Sequence, residues 1–315
     1  MTGGSGLANN IVEVRGIGKQ YGPVRAVEAV DLDIPRGQLF GLIGHNGAGK
    51  STLFKMMLGL LAPSSGHIRI DGEAVEGAGF RQVRRKIGYL PENLALYDNL
   101  TGLETLAFYA RLKDAPQAQC ATLLEQVGLG EAGRRRVREY SKGMRQRLGF
   151  AQALLGSPAL LFLDEPTNGL DPEAIRGFYR QLRELSAGGT TIILTSHILA
   201  EIQERVDRLA IMKNGRIQAD GTVQALRESV NLPLSFEVRM APDQIELARL
   251  ALATLPLAVA AGEDGVVRFS CEREMKMKAV EALATLDGRV LDLHVHEPTL
   301  EDVFFGYAEG RHEAS

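Results

Sequence analysis

Lys50 follows a run of glycines and precedes two hydroxyls, in Gly44-His45-Asn46-Gly47-Ala48-Gly49-Lys50-Ser51-Thr52. The spacing G-x-x-x-x-G-K-[ST] suits a polyphosphate. Glycines let main-chain N–H groups converge on anionic oxygens without Cβ clashes. Lys50 would bring a cation to the outer phosphates and Ser51 a hydroxyl to Mg²⁺, with Asn46, Gly47, Ala48, Gly49 and Thr52 completing the cradle. Further on, Leu160-Leu161-Phe162-Leu163 ends in Asp164 and Glu165. The first acid suits a metal shell; the second could orient or deprotonate a water attacking the terminal phosphate. Strand-end acid pairs without a catalytic part are common, and the phosphate loop upstream decides for the chemical reading.

Such groups need rigid elements to aim them. The apolar run 39–43 leads into the glycine turn, and 50–60 reads as a helix; strand, glycine loop and helix make an anion site. Residues 11–15, 27–34 and 38–43 have strand character. A middle block, about 96–157, reads as a helical subdomain carrying Arg134, Arg135, Arg136 and Arg138. That basic patch is a solvated face or a contact for lipid or a partner. Residues 159–163 read as a buried strand. Helix 173–186, strand 190–195, helix 198–205 and strand 208–213 follow, an alternation that implies a largely parallel sheet. A boundary falls at 229–233. Beyond it come strand 234–240, helix 244–254, strands 257–261 and 266–271, helix 274–286 and strand 290–295, a ferredoxin-like order. The expected domains are therefore a tail over 1–10, a nucleotide-binding domain over 11–229 and an accessory domain over 233–315.

The bulk numbers limit the function classes. The 315 residues carry a formal net charge of −3, which argues against a nucleic-acid partner. Cys120 and Cys271 lack metal-like spacing and fit a reducing compartment. The first ten residues have neither a basic nor an apolar segment, so no signal peptide is expected. No apolar run reaches the 18 or more residues of a membrane span, so a transport role would need another chain to supply the pore. No guanine-reading N-K-x-D string can be placed, which favours ATP over GTP.

Between these motifs lies Tyr140-Ser141-Lys142-Gly143-Met144-Arg145-Gln146-Arg147-Leu148, with Ser141 lying 23 residues before Asp164. A serine hydroxyl and N–H groups at a helix start form an anion receptor. With the phosphate loop, the acid pair, Asn168-Gly169-Leu170-Asp171 and Leu194-Thr195-Ser196-His197 in this order, 11–229 resembles the nucleotide-binding domain of ABC transporters. The signature string departs from the usual LSGGQ at Tyr140, Lys142 and Met144. The resemblance implies an α/β P-loop NTPase with a RecA-like core, an antiparallel β-subdomain and a helical subdomain, followed by the small ferredoxin-like α+β domain. It implies a homodimer sandwiching two ATP molecules, with Ser141, Lys142, Gly143 and Met144 of one copy facing the phosphate loop of the other. It makes Glu165, His197 and Lys50 catalytic, Asp171 a D-loop contact, Tyr21 the ring that stacks on adenine, and Ser51, Asp164 and Glu92 the Mg²⁺ set. Glu92 stands where the family usually has glutamine, and its segment would report nucleotide state to a polytopic membrane subunit on the cytoplasmic face of the inner membrane.

Glu92, the single cassette and His296-Glu297-Pro298-Thr299-Leu300-Glu301-Asp302-Val303-Phe304 resemble the ABC-2-type ATPases. The strings at 44–47, 89–93 and 140–149 are most similar to the NosF-type ATPases, which serve copper-site maturation of nitrous oxide reductase and imply a periplasmic partner. Alternatives are another ABC-2 exporter of drug, lipid or polysaccharide, a soluble ABC ATPase on ribosomes or DNA, and a regulatory module without turnover. Met240, Cys271, Met275, Met277, His294 and His296 have copper-compatible chemistry. Met275 and Met277 cannot share one helix face, so core packing is the expected role.

Overall fold

The computed structural model describes residues 10–229, 233–253, 255, 258–261, 265–296 and 300. These divide into two compact units, the division falling between Val223 and Gln224.

In the first unit, β1 (Asn10–Tyr21) and β2 (Val24–Pro35) alternate buried and partly exposed side chains and pair antiparallel. β3 (Leu39–Ile43) is buried at every residue, as a central strand covered on both faces must be. It delivers the chain to α1 (Lys50–Met57). β4 (Ser65–Ile70) and β5 (Glu73–Ala74) extend the first sheet to the order β2-β1-β4-β5. After α2 (Phe80–Arg85), β6 (Ile87–Leu90) enters the second sheet. The helical stretch follows as α3 (Gly102–Lys113), α4 (Gln119–Gln126) and α5 (Lys142–Leu154). α3 opens on a complete capping box between Thr101 and Glu104. The sequence then alternates: β7 (Leu160–Leu163), α6 (Pro172–Ala187), β8 (Thr191–Ser196), α7 (Leu199–Ile202), β9 (Arg208–Lys213) and β10 (Arg216–Thr222); α8 (Val223–Ser229) starts at the division, with all but its first residue in the second unit. The resulting sheet has the order β10-β9-β3-β8-β7-β6, parallel except for β10.

One apolar core joins this sheet to the antiparallel one through α1. Leu53, Phe54, Met56 and Met57 are all fully buried, and Phe54 meets Phe162 of β7 edge-on at 5.3 Å. Each such side chain stabilises by about 1.5–3 kcal/mol relative to exposure. The helix behind the phosphate loop is therefore fixed on both sides.

Several expected boundaries are corrected. The helix expected over 50–60 stops at Met57, because Gly59 turns with φ +65°. The helix expected over 198–205 contracts to Leu199–Ile202 before the chain swings into β9. β4, β5, β6 and β10 carry no long apolar run and gave no strand signal; β10 has no buried residue at all. The arginines at 134, 135, 136 and 138 are exposed, around buried Val137.

The second unit contains β11 (Leu234–Met240), α9 (Ile245–Leu252), β12 (Ala258–Ala261), β13 (Val266–Cys271), α10 (Lys276–Ala284) and β14 (Val290–His296). Its sheet order, β12-β13-β11-β14, is wholly antiparallel and is that of a ferredoxin-like fold. Met240 and Cys271 are buried in its apolar core, and Met275 packs against that core. Met277 is exposed, and His294 and His296 stand on exposed positions of β14. The tail expected over 1–10 lies outside the described residues except for Asn10, which begins β1. Of the string 296–304, only His296 and buried Leu300 are described.

Candidate active site

The site lies where parallel strands end together. Leu90 of β6 pairs with Leu163 of β7, and Leu163 with Leu194 of β8. Continuing one residue aligns Asp164 with Thr195. β3 lies on the other side of β8, with Ile43 opposite Ser196. The phosphate loop, Glu92, the acid pair and His197 thus leave neighbouring strand ends, the crevice where open α/β sheets bind ligands.

The loop between β3 and α1 needs glycine at positions 44 and 49. Gly49 has φ +105°, and a Cβ there would stand 2.4 Å from the Ala26 carbonyl. A Cβ on Gly44 would stand 2.3 Å from the Met212 carbonyl. Gly49 is the N-cap of α1 and supplies no side-chain cap. The first N–H donors of this helix, with its positive dipole end, therefore open onto the crevice.

The crevice encloses about 370 Å³ and is lined by Ala26, residues 45–52, Glu92, Glu165, Asn168 and His197. Buried Lys50 donates to the carbonyls of Gly44 and, at 3.3 Å, His45. Its ammonium lies 3.6 Å from Glu165 Oε1, and Glu165 Oε2 lies 2.8 Å from His197 Nδ1. One carboxylate thereby joins the cation to the imidazole. Burial lowers the Lys50 pKa, with Glu165 opposing that shift. Burial raises that of Asp164, with a hydrogen bond from Thr195 opposing it. Glu165 adopts φ +47°, uncommon for a side chain with a Cβ and a form of strain that gathers at functional sites.

Thr195 is a residue that the sequence reading passed over. It is fully buried; its Oγ1 donates to Asp164 Oδ1 at 2.7 Å and accepts from the Glu165 N–H at 2.9 Å. One hydroxyl orients both acids. The available signal was its position, a polar residue directly after the apolar run Ile192–Leu194 and two residues before His197.

Other expected residues lie elsewhere. Tyr21 ends β1, is 48% exposed, and holds Lys19 Nζ 5.4 Å from its ring centroid. It is not among the lining residues of the crevice. Ser141, Lys142, Gly143 and Met144 form the start of α5, also outside this lining. Ser141 Oγ accepts from the Met144 N–H at 3.2 Å. Asp171 caps α6, accepting from the Ala174 N–H at 2.8 Å. The oxygen donors Ser51, Glu92 and Asp164 are a hard set of the kind Mg²⁺ takes, and Lys50 with the open end of α1 fits phosphate.

Residues 27–168 match the family model described as ABC transporter. The chain is 35% identical over 306 residues to the daunorubicin resistance ATP-binding protein DrrA3 of Streptomyces coeruleorubidus, covering 95% of this chain and 96% of that one. It is 37% identical over 230 residues to the bacitracin transport ATP-binding protein BcrA of Enterococcus faecalis, covering 72% and 74%. A solved ATP-binding subunit of an ABC transporter superposes with TM-score 0.64 at 35% identity, over 70% of this chain and 92% of that chain. A dimeric ATP-binding cassette bound to ADP and Pi has the same fold, with TM-score 0.62 at 23% identity over 67% and 98%. Among the described residues no helix is long and apolar enough to cross a membrane. The chain belongs to the ABC transporter family, as an ATP-binding and ATP-hydrolysing subunit of the DrrA type.

Proposed function

We propose that two copies of this chain close on two ATP molecules and drive polytopic membrane subunits from the cytoplasmic face of the inner membrane. One observation carries the shared sites: the signature turn at Ser141 lies outside its own chain's crevice, so it is free to face another copy's nucleotide. Lys50 and the open end of α1 hold the β- and γ-phosphates, and Tyr21 stacks on adenine from the end of β1. Glu165 takes a proton from the attacking water as its oxygen bonds to the γ-phosphorus; the bond to the bridging oxygen breaks and ADP leaves. His197 orients Glu165 and reaches the γ-phosphate. Ser51, Asp164 and Glu92 would hold Mg²⁺, which when bound neutralises charge on the β- and γ-phosphates.

A second cleft, about 430 Å³, is lined by Arg81, Arg84, Arg85, Tyr109, Leu112 and Lys113 among others. β6 connects its arginine-bearing edge, α2, to Glu92. This supports the segment around Glu92 as the one that reports nucleotide state to the membrane subunit.

Within the ABC-2 type, the strings at 44–47, 89–93 and 140–149 favour the NosF-type role, maturation of the copper sites of nitrous oxide reductase with a periplasmic partner. The names of the relatives DrrA3 and BcrA favour a second reading, a drug exporter. The test is capture of Glu165→Gln chain with ATP·Mg²⁺ from native membranes. A polytopic subunit with a periplasmic copper-enzyme factor supports the NosF-type role, and a polytopic subunit alone supports the exporter. Ribosomes or nucleic acid without a membrane subunit overturn both.

A further inference from the structure

The first two turns of α5 lie on the loop that carries Glu165 in the same chain. Gln146 Nε2 donates to the Pro166 carbonyl at 3.0 Å. One turn earlier, on the same helix face, the end of Lys142 lies on Gly169: a Cβ built there would stand 2.5 Å from Lys142 Nζ and 2.9 Å from its Cε. Leu170 is the neighbour nearest Gly143 in the same sense, at 3.9 Å. That loop starts at Glu165 itself, and the Asn168 N–H donates to the Glu165 carbonyl at 3.2 Å. Asn168 also lines the crevice.

Lys142 is oddly charged for its place. It is the first residue of α5, where the helix dipole disfavours a cation, and α5 has no acid in its first turn. Among the described residues no carboxylate pairs with it. An exposed ammonium on a flexible stem, set at the positive end of a helix, responds strongly to an arriving anion.

We propose that Lys142 is a positioning residue that couples phosphate at the signature turn to Glu165 of its own chain. A phosphate reaching Ser141 draws the ammonium off Gly169, and the loop over 166–170 shifts with Glu165 at its root. Occupancy of one site is thereby passed to the other. This rests on the shared-site dimer proposed above.

The test separates the two chains of the dimer. Full-length chains with different tags are co-expressed and purified as mixed dimers, with Glu165→Gln in one chain only. Lys142→Met is placed in the chain that keeps Glu165. Its live site then faces an intact Lys142 from the other copy, and any loss arises within the chain. The expected result is turnover lowered roughly 2- to 30-fold with KM for ATP unchanged, and restoration by Lys142→Arg. Unchanged turnover overturns the coupling and leaves the shared-site dimer standing. Mixed dimers that form with Lys142→Arg but not with Lys142→Met also overturn it, because Lys142 would then act only in closure. If Glu165→Gln chains with intact Lys142 form no ATP-dependent dimer, the shared-site reading fails and the coupling with it.

Discussion

Two helix starts in the first unit are built in opposite ways. α1 begins on Gly49 with no side-chain cap, and its first turn holds buried Lys50. α5 begins on Ser141, which caps its own helix, and its first turn is half-exposed or exposed. An uncapped helix end inside a crevice is incomplete without an anion. A capped end on the surface is stable alone and becomes a site only when something is brought to it. In the dimer proposed above, the first is the ligand-holding half of an ATPase centre and the second is the half a partner copy would use, so that one chain alone would carry the parts but not the assembled site.

Substitutions can break this contrast, beginning with the largest effect. Glu165→Gln removes the acceptor for the water's proton while keeping the hydrogen bond to His197 within reach. Turnover should fall about 10²- to 10⁴-fold, with ATP binding to the single chain unchanged, as steady-state kinetics and calorimetry would show. Lys50→Ala takes a cation from the uncapped end, and ATP affinity of the single chain should drop roughly 10- to 100-fold, the worth of a charged hydrogen bond. Ser141→Ala should do the converse: single-chain affinity unchanged, turnover lost, and helix stability reduced by about 1 kcal/mol from the missing cap.

The contrast between these helix ends was partly legible in the sequence. Gly49 and Lys50 announce themselves by spacing, because a tight anion loop tolerates few residue types. The acid pair and His197 follow an apolar strand each, so their placement at strand ends could be read in advance. Thr195 could not, because its role depends on a register between β7 and β8 that no local pattern encodes. Nor could the sequence show that Tyr21 is outside the lining of the crevice, since a ring at a strand end reads the same wherever the hairpin points. The second unit gave its strands clearly, Leu234–Met240 and Val266–Cys271 ending where alternation ends. In the first, short or polar edge strands such as Ile87–Leu90 and Arg216–Thr222 stayed hidden, because their pairing comes from neighbours rather than from their own apolar residues.

Smaller effects are expected at two groups inside the fold. Thr195→Val keeps the shape but leaves Asp164 and the Glu165 N–H without their partner, costing about 1–3 kcal/mol for buried polar groups left unpaired. Loss of that hydrogen bond should also raise the Asp164 pKa further, so turnover should shift its acid limb to higher pH. The smallest effect concerns Lys113, half-buried and donating to the Leu155 carbonyl, with burial lowering its pKa to about 8. Between that value and the ordinary 10.5 the unfolded chain holds more proton, so this group makes stability rise with pH through that window. Below pH 8 its cost is constant. Lys113→Met should remove that slope, a difference on the order of 1 kcal/mol after solvent screening, read from melting curves at pH 7 and pH 10.

The central claim is that the capped end of α5 completes a site on a second copy. Sedimentation of full-length Glu165→Gln with ATP·Mg²⁺, alone and combined with Ser141→Ala, tests it most directly. An ATP-dependent dimer is expected for the single variant and a monomer that still binds ATP for the double. A monomer in both cases, or a dimer indifferent to Ser141, would contradict it.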